Sequence, residues 1–508
     1  MFAIMGWVLV VTLVAPAWAA LVALAFGRRA PRLVGHLGAS TAGLGFLGSI
    51  VMGVGVRGGQ VIDLTIGGVA WVSVDPLASV LLLLVFGVSA IVQSFAVRYL
   101  HGDARAAWFT GGAGLLTAAS AGMITASTLI GLALCWSVAG IALCLLLATY
   151  WHLRDARDGV RRTAIAFLIG DLALWVAVAL ATATWGRIEL RGIEPARFSG
   201  PVVPVVATLI VLAALSRSAQ IPFHRWLPAT LAAPTPVSAL LHAGVVNAGG
   251  ILLIRLSALA VDDVARGLTV LAGMATMVYG TAVMMVKPDI KGALAHSTTA
   301  QMGFMILTCG LGLWAAAVIH LVAHGFYKSA LFLSSGSAIA RQRRHEALPA
   351  PSMPSRRQQL ARGAAAVSLP ALAPLAGKAL IPTSPGDHAD EYVLLIFAWV
   401  TGGALTWGWL QRRPGIAGTA GAATFLIPAA VVYVGLITAI SRYLSPALPP
   451  SSLSAPTVWA VTAVALAALG CLAGVRRAPG TVQRVLYANA LGAGYIPASS
   501  RQPMGAHL

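Results

Sequence analysis

Few residues in this chain can do chemistry, and each stands inside or beside a long apolar stretch. Asp171 lies in FLIGDLALW, Arg217 closes an apolar run in ALSRSAQ, and His242 lies in ALLHAG. His320, His324 and Lys328 follow one another at intervals of four. On a helix that spacing drifts only ~40° per step, so the three form one stripe about 12 Å long. Imidazoles accept and release protons near neutral pH, and a desolvated lysine can be drawn toward that range. Such a stripe suits a proton relay. Helix-packing hydrogen bonds are the competing reading. Haem ligation by His320 or His324 is a third, which no complementary pattern supports.

The second concentration of signal is SRSAQIPFHRWLPATLAAPTPVSALLHAGVVN, residues 216–247. Pro222, Pro228, Pro234 and Pro236 punctuate it, and the first two block a regular helix by removing backbone donors. Broken backbone at membrane depth is tolerated only where protein or water covers it, which is where transporters place ion sites. Arg217 precedes the break and keeps its charge. Thr235 is expected as an N-cap, with Pro236 opening the next helix and His242 about 9 Å further along it. Gly244, Gly249 and Gly250 suit close helix approach. Packing alone accounts for the glycines and leaves Arg217 and His242 unexplained.

The elements that must position these residues are membrane helices. Of 508 residues, 58% are hydrophobic and 10% charged, with apolar runs of bilayer-spanning length from end to end. Spans are expected near 6–26, 33–56, 77–97, 107–125, 128–150, 163–185, 202–220, 236–258, 265–286, 292–313 and 314–339. Four more follow near 364–383, 391–411, 416–439 and 456–475, about fifteen in all. The fold class is an all-α polytopic bundle. Pro370, Pro374 and Pro382 interrupt the 364–383 span. The N-terminal run lacks a basic leader region, so it reads as a retained helix rather than a signal peptide.

The net charge of +19 does not point to nucleic acid, because the bases sit in short clusters between spans. With the N-terminus outside, 24 of 34 Lys and Arg fall in inner loops and seven in outer ones; Arg217, Lys328 and Lys378 lie within spans. The bias predicts an outside N-terminus and a cytoplasmic C-terminus in a cell (inner) membrane. The basic loop at 341–362 reads as a linker, with docking or contact with anionic membrane lipids as alternatives. Cys135, Cys144, Cys309 and Cys471 have neither disulfide nor zinc spacing.

The 216–247 stretch, continued by AGGILLIRL, resembles the proton-conducting membrane core shared by complex I antiporter-like subunits and Mrp-type antiporters. Further matches are VSVDPLASVLLLLV (72–85), KPDIKGALAHSTTAQMGF (287–304) and IHLVAHGFYKSALFLSSGSAI (319–339). The likeness covers roughly residues 70–345. Within the family, HRWLPATLAAPTPVSALLHAGVVNAGG looks most like the membrane subunits of DAB-type inorganic-carbon pumps.

The resemblance implies two inverted five-helix repeats, each with a broken helix. Residues 1–106 would form N-terminal helices, 107–258 and 259–411 the two repeats, and 412–508 C-terminal helices and a tail. Arg217 takes the place of the family's lysine in the first broken helix. His242, His320, His324 and Lys328 match polar positions of later helices, and Lys291 a base opening the helix between them. Lys378 is the weaker match to a lysine of the second broken helix. Two departures stand out: Ser137 occupies the place of the family's glutamate, and Arg217 cannot release a proton as a lysine can. Asp171 is the nearby carboxylate able to balance Arg217.

The function implied is proton or other cation conduction that energises a soluble, zinc-binding, carbonic-anhydrase-like subunit hydrating carbon dioxide. This chain itself would hold no metal, cofactor or catalytic residue and would act in transport rather than as an enzyme. A proton-pumping subunit of an NADH–quinone oxidoreductase or hydrogenase-type complex is the alternative, and a monovalent cation/proton antiporter subunit the third.

Overall fold

The computed structural model describes residues 2–191, 197–259, 262–337, 355–381, 389–449, 453–475 and 480–493. Apolar segments can satisfy their backbone inside a bilayer by hydrogen bonding along a helix, and that is what these do. The first helices are α1 (Phe2–Phe26), α2 (Pro31–Gly55), α3 (Pro76–Tyr99), α4 (Ala106–Thr125), α5 (Leu129–Leu147) and α6 (Arg154–Trp185). Next come α7 (Val203–Arg217), α8 (Thr235–Ala243), α9 (Ala248–Arg255), α10 (Asp263–Val286), α11 (Ile290–Gly310) and α12 (Trp314–Leu333). The last are α13 (Arg356–Leu380), α14 (Ala389–Arg412), α15 (Ile416–Leu444), α16 (Ala455–Gly474) and α17 (Gly480–Ala493).

Each span read from the sequence coincides with a helix, α8 and α9 together making one. Among the described residues twelve spans are long and apolar enough to cross a membrane. The other three are α4 and α11, whose glycines and small polar residues dilute their apolarity, and α7, which is short because the chain breaks after it. The basic 341–362 segment is only partly a loop. Residues 341–354 lie outside the described residues, while Arg356, Arg357 and Arg362 already belong to α13, opened by a Ser355–Gln358 capping box.

One segment departs from the all-helical expectation. Between α2 and α3, β1 (Ile62–Ile66) and β2 (Val69–Val74) pair antiparallel, with Ile66 opposite Val69. The two-residue turn is Gly67–Gly68, both at positive φ (62° and 78°), which this kind of hairpin turn requires. The hairpin leads directly into α3, whose N-cap Asp75 accepts from Ala78 N at 2.6 Å. Asp289 caps α11 in the same way through Gly292 N at 2.5 Å.

The core lies around α3, α5, α7 to α9 and α12, and the α8–α9 span is almost wholly buried. A second apolar cluster joins α10 to α12 with α14 to α16 through Met277, Phe304, Ile319, Leu394, Ile437 and Val458. The 364–383 span was expected to break, yet α13 stays helical through Pro370 and Pro374. Trp399 Nε1 donates to Val367 O at 2.8 Å, satisfying a carbonyl in the turn opened by the Pro370 ring. Pro382 lies outside the described residues.

Helices α10 and α11 approach backbone to backbone. A side chain at Gly273 would meet Leu307 N at 2.6 Å and Gly303 O at 2.8 Å, and one at Gly280 would meet Ala300 N at 2.5 Å. Gly303→Val should therefore destabilise the detergent-solubilised protein by about 1–3 kcal/mol. Thermal denaturation of purified protein reads this directly; an unchanged melting temperature would mean that the helices separate freely.

Candidate functional site

Two polar clusters sit beside the backbone breaks. The first forms where α7 ends. Arg217 is 1% exposed and fully surrounded by protein. Its Nη2 donates to Asp171 Oδ1 on α6 at 2.6 Å, and Nη1 donates to Trp136 O on α5 at 3.3 Å. Trp136 Nε1 donates to the same Asp171 oxygen at 2.7 Å. The guanidinium carbon lies 4.3 Å from the Trp136 ring centre and 4.1 Å from that of Phe167. Cation–π contact of this desolvated kind is worth about 2 kcal/mol. At Gly140 a side chain would come within 2.9 Å of Nη1, so α5 keeps glycine there.

The expected coupling of Asp171 to Arg217 is thus a direct ion pair. Ser137, next to Trp136 on α5, accepts from Trp175 Nε1 at 3.1 Å. A serine at this position leaves Asp171 as the carboxylate that holds the cation.

The break after α7 is closed by side chains. Ala219 turns through a left-handed φ of 51°, and Gln220 N reaches back to Leu215 O at 2.9 Å. Trp226 Nε1 donates to Ser216 O at 2.9 Å, and Ile221 N donates to Thr276 Oγ1 at 3.0 Å. Residues 224–226 and 228–230 form only short 3-10 turns, as Pro222 and Pro228 require.

The following span is also interrupted, which the sequence reading did not foresee. Helix α8 stops at Ala243, residues 245–247 form a 3-10 turn, and α9 resumes at Ala248. Ser218 Oγ donates to Val246 O at 2.6 Å and Asn247 Nδ2 to Ala243 O at 2.8 Å, so the interruption leaves these carbonyls paired. The start of α8 also differs from expectation. Pro234 occupies the cap position and Thr235 is already helical, its hydroxyl accepting from Tyr99 at 3.3 Å.

The second cluster gathers around α8 and α12. His242, 1% exposed, stacks on Phe332 with ring centres 4.3 Å apart. His324 Nε2 bonds the backbone oxygen of His242 at 3.0 Å, and its Nδ1 meets Gln301 Oε1 at 2.6 Å. His320 stacks on His324 at 5.8 Å, and Lys328 Nζ donates to Ser297 Oγ at 2.8 Å. Accordingly His242, His320, His324 and Lys328 are brought together by α8, α11 and α12. Lys291, half-buried at the start of α11, lies within electrostatic range of His242. Lys378 does not join them: it is half-buried on α13 with its Nζ 3.8 Å from the Tyr392 ring centre.

His296, Gln301, Tyr279 and His224 belong to the same region without having been singled out. His296 is 1% exposed, and neither ring nitrogen has a hydrogen-bond partner among the described residues. Tyr279 links it to His224 by edge-on ring contacts at 6.2 and 4.6 Å. The available signal was helical spacing: His296 and Gln301 both stand on α11, within the quoted ALAHSTTAQMGF. Together these residues extend polar groups from the first break toward α12.

A helical membrane bundle with interrupted helices around buried charges has the architecture in which transporters place their ion sites. The family described as "NADH:quinone oxidoreductase/Mrp antiporter, TM" matches residues 126–378, and "NADH-Ubiquinone oxidoreductase (complex I), chain 5 N-terminus" matches residues 70–110. The "Probable inorganic carbon transporter subunit DabB1" of Halothiobacillus neapolitanus is 36% identical over 358 residues, 66% of this chain and 64% of that protein. "NADH-quinone oxidoreductase subunit L" of Mycobacterium tuberculosis is 34% identical over 273 residues, 52% of this chain and 43% of that protein. A chain in the structure of the Mrp complex from a Dietzia species shares the fold, with TM-score 0.61 and 24% identity, covering 94% of this chain and 61% of that one. The chain spans less than two thirds of the length of these curated relatives. It belongs to the antiporter-like membrane-subunit family of NADH:quinone oxidoreductases and Mrp antiporters.

The Arg217–Asp171 geometry sets a measurable coupling. Asp171→Asn and Arg217→Gln should each lower the stability of purified protein. In a double-mutant cycle their effects should depart from additivity by about 0.5–3 kcal/mol. Additive losses would assign each residue a different partner.

Proposed function

We propose that this chain conducts protons across the membrane for an energy-coupled inorganic-carbon accumulation complex. The observation carrying conduction is the cluster of His242, His320, His324 and Lys328 inside apolar helices, joined by ring stacking and hydrogen bonds. Ionisable groups at membrane depth are costly and mark ion routes. The file would include Lys291, with Arg217 and Asp171 as a fixed pair beside it; Lys378 stands apart in the geometry.

The carbon-pump assignment rests on relatives named as inorganic carbon transporter subunits, at 36% and 35% identity over 358 and 271 residues. On this reading the chain's partner is a soluble, zinc-binding, carbonic-anhydrase-like subunit. Proton flow drives that subunit's hydration of carbon dioxide to bicarbonate. The complex sits in the cell membrane with the chain's C-terminus cytoplasmic, as the Lys and Arg bias indicates. The 34% identity to an NADH-quinone oxidoreductase subunit supports a second reading, a proton-pumping subunit of a redox complex.

Co-expression separates the two. In cells that require high carbon dioxide because they lack carbonic anhydrase, growth in air should return only when this chain and its zinc-binding partner are present together. No rescue, with co-purification of quinone-reducing subunits, would replace the carbon-pump reading by the redox one.

A further inference from the structure

Helices α3 and α4 carry a polar line apart from the histidine cluster. Gln93 Nε2 donates to Ser89 Oγ at 2.9 Å, one turn back on α3. Thr117 on α4 gives its own proton to Ala113 O at 2.7 Å. Ser89 must therefore be the donor in its 2.7 Å bond to Thr117 Oγ1. All three side chains are buried, and Gln93 Oε1 has no hydrogen-bond partner among the described residues. Leaving a buried amide oxygen unsatisfied costs about 1–3 kcal/mol, so this atom calls for water.

Both ends of the line open into cavities. Gln93 lines one of about 260 Å³, whose wall includes Arg32, His101, Asp103 and Thr110. Ser89 and Thr117 line another of about 40 Å³, together with Ser120, Trp136 and Arg217. A water needs about 10–15 Å³ measured this way and two or more polar partners, and both cavities offer that. The Gln93–Ser89–Thr117 line is thus the partition between a polar pocket at the Arg32–His101–Asp103 end and the buried guanidinium. Gly38 packs against Gln93 Oε1, where any side chain would displace the amide.

We propose that these two cavities and the Gln93–Ser89–Thr117 line form a hydrated access route to Arg217, separate from the His242–Lys328 file. Water crosses beside Gln93, which gates the passage because an amide does not itself relay protons. Ser89 and Thr117 can each accept a proton on a lone pair and release their own, Thr117 by letting go of Ala113 O. That the route supplies protons rests on the conduction reading above; that it is wet does not.

The test uses silver ion, small enough for the narrow inner cavity. The full-length chain is placed in membranes with Cys135, Cys144, Cys309 and Cys471 changed to alanine, and single cysteines are introduced. Thiols that survive silver are counted with maleimide after denaturation in SDS. Ser120→Cys should be blocked nearly as fast as Ala104→Cys in the outer cavity wall. Adding Gln93→Leu, which removes the amide and brings no silver-binding sulfur, should slow the block at Ser120→Cys about tenfold or more, leaving Ala104→Cys unchanged. Gln93→Ile removes the same amide if Gln93→Leu inserts poorly. A Ser120→Cys thiol no more reactive than Leu82→Cys in the dry core, or one indifferent to both substitutions, would overturn the route. The readout needs no proton conduction, so its failure is distinguishable from failure of the proposed function.

Discussion

The structure depends on the burial of one permanent charge. Arg217 stays protonated under all ordinary conditions, and removing such an ion from water costs several kcal/mol after every relaxation. Its environment answers most of that cost, leaving Nε without a hydrogen-bond partner among the described residues. Asp171 supplies the countercharge, Trp136 and Phe167 the ring faces, the Trp136 carbonyl a second acceptor, and Gly140 the space. These residues come from α5, α6 and α7, so the pair fixes how the three helices meet. Because the arginine cannot lose its proton, the pair acts as a fixed field rather than a titrating switch, and Ser137 supplies no second carboxylate. On the proposed conduction reading, the side chains that titrate are the histidines and Lys328, and the pair sets the field around any water that reaches it.

The backbone breaks follow from the same economy of buried polarity. Every interruption frees carbonyl and amide groups that lipid cannot satisfy. Trp226, Ser218, Asn247 and His324 each take one of those carbonyls, and Thr276 receives an amide. His324 therefore has two attachments: its Nε2 holds the His242 carbonyl near the end of α8, and its Nδ1 meets Gln301 on α11. A change of proton on that ring is felt at a broken helix and at a neighbouring one. This is a physical link between titration and backbone geometry, and it lies in the middle of the bundle.

Much of this was legible because bilayer chemistry writes strong patterns. Each apolar run became a helix, and the scarcity of internal acids pointed from Arg217 to Asp171 before any distance was known. Other features were hidden for identifiable reasons. The Ile62–Val74 hairpin is short, although its alternation and Gly67–Gly68 turn were visible. The interruption at 244–247 contains no proline and is held open by Ser218 from the preceding break, a tertiary contact that local sequence does not display. Conversely, Pro370 and Pro374 look like breakers, and α13 absorbs them with help from Trp399. His296 sat in a quoted motif, but its significance lies in being buried without partners, which only packing reveals.

Proton flux through the His242–Lys328 cluster is the most direct measure of conduction. The complex containing this chain should be reconstituted in liposomes with an internal pH-sensitive dye and an imposed potential. His242→Ala and Lys328→Ala should each slow proton uptake by about tenfold or more at equal incorporation. Lys378→Ala, which alters a residue outside the cluster, should retain the wild-type rate. Wild-type flux in both His242→Ala and Lys328→Ala would contradict the account and reduce the buried file to helix packing.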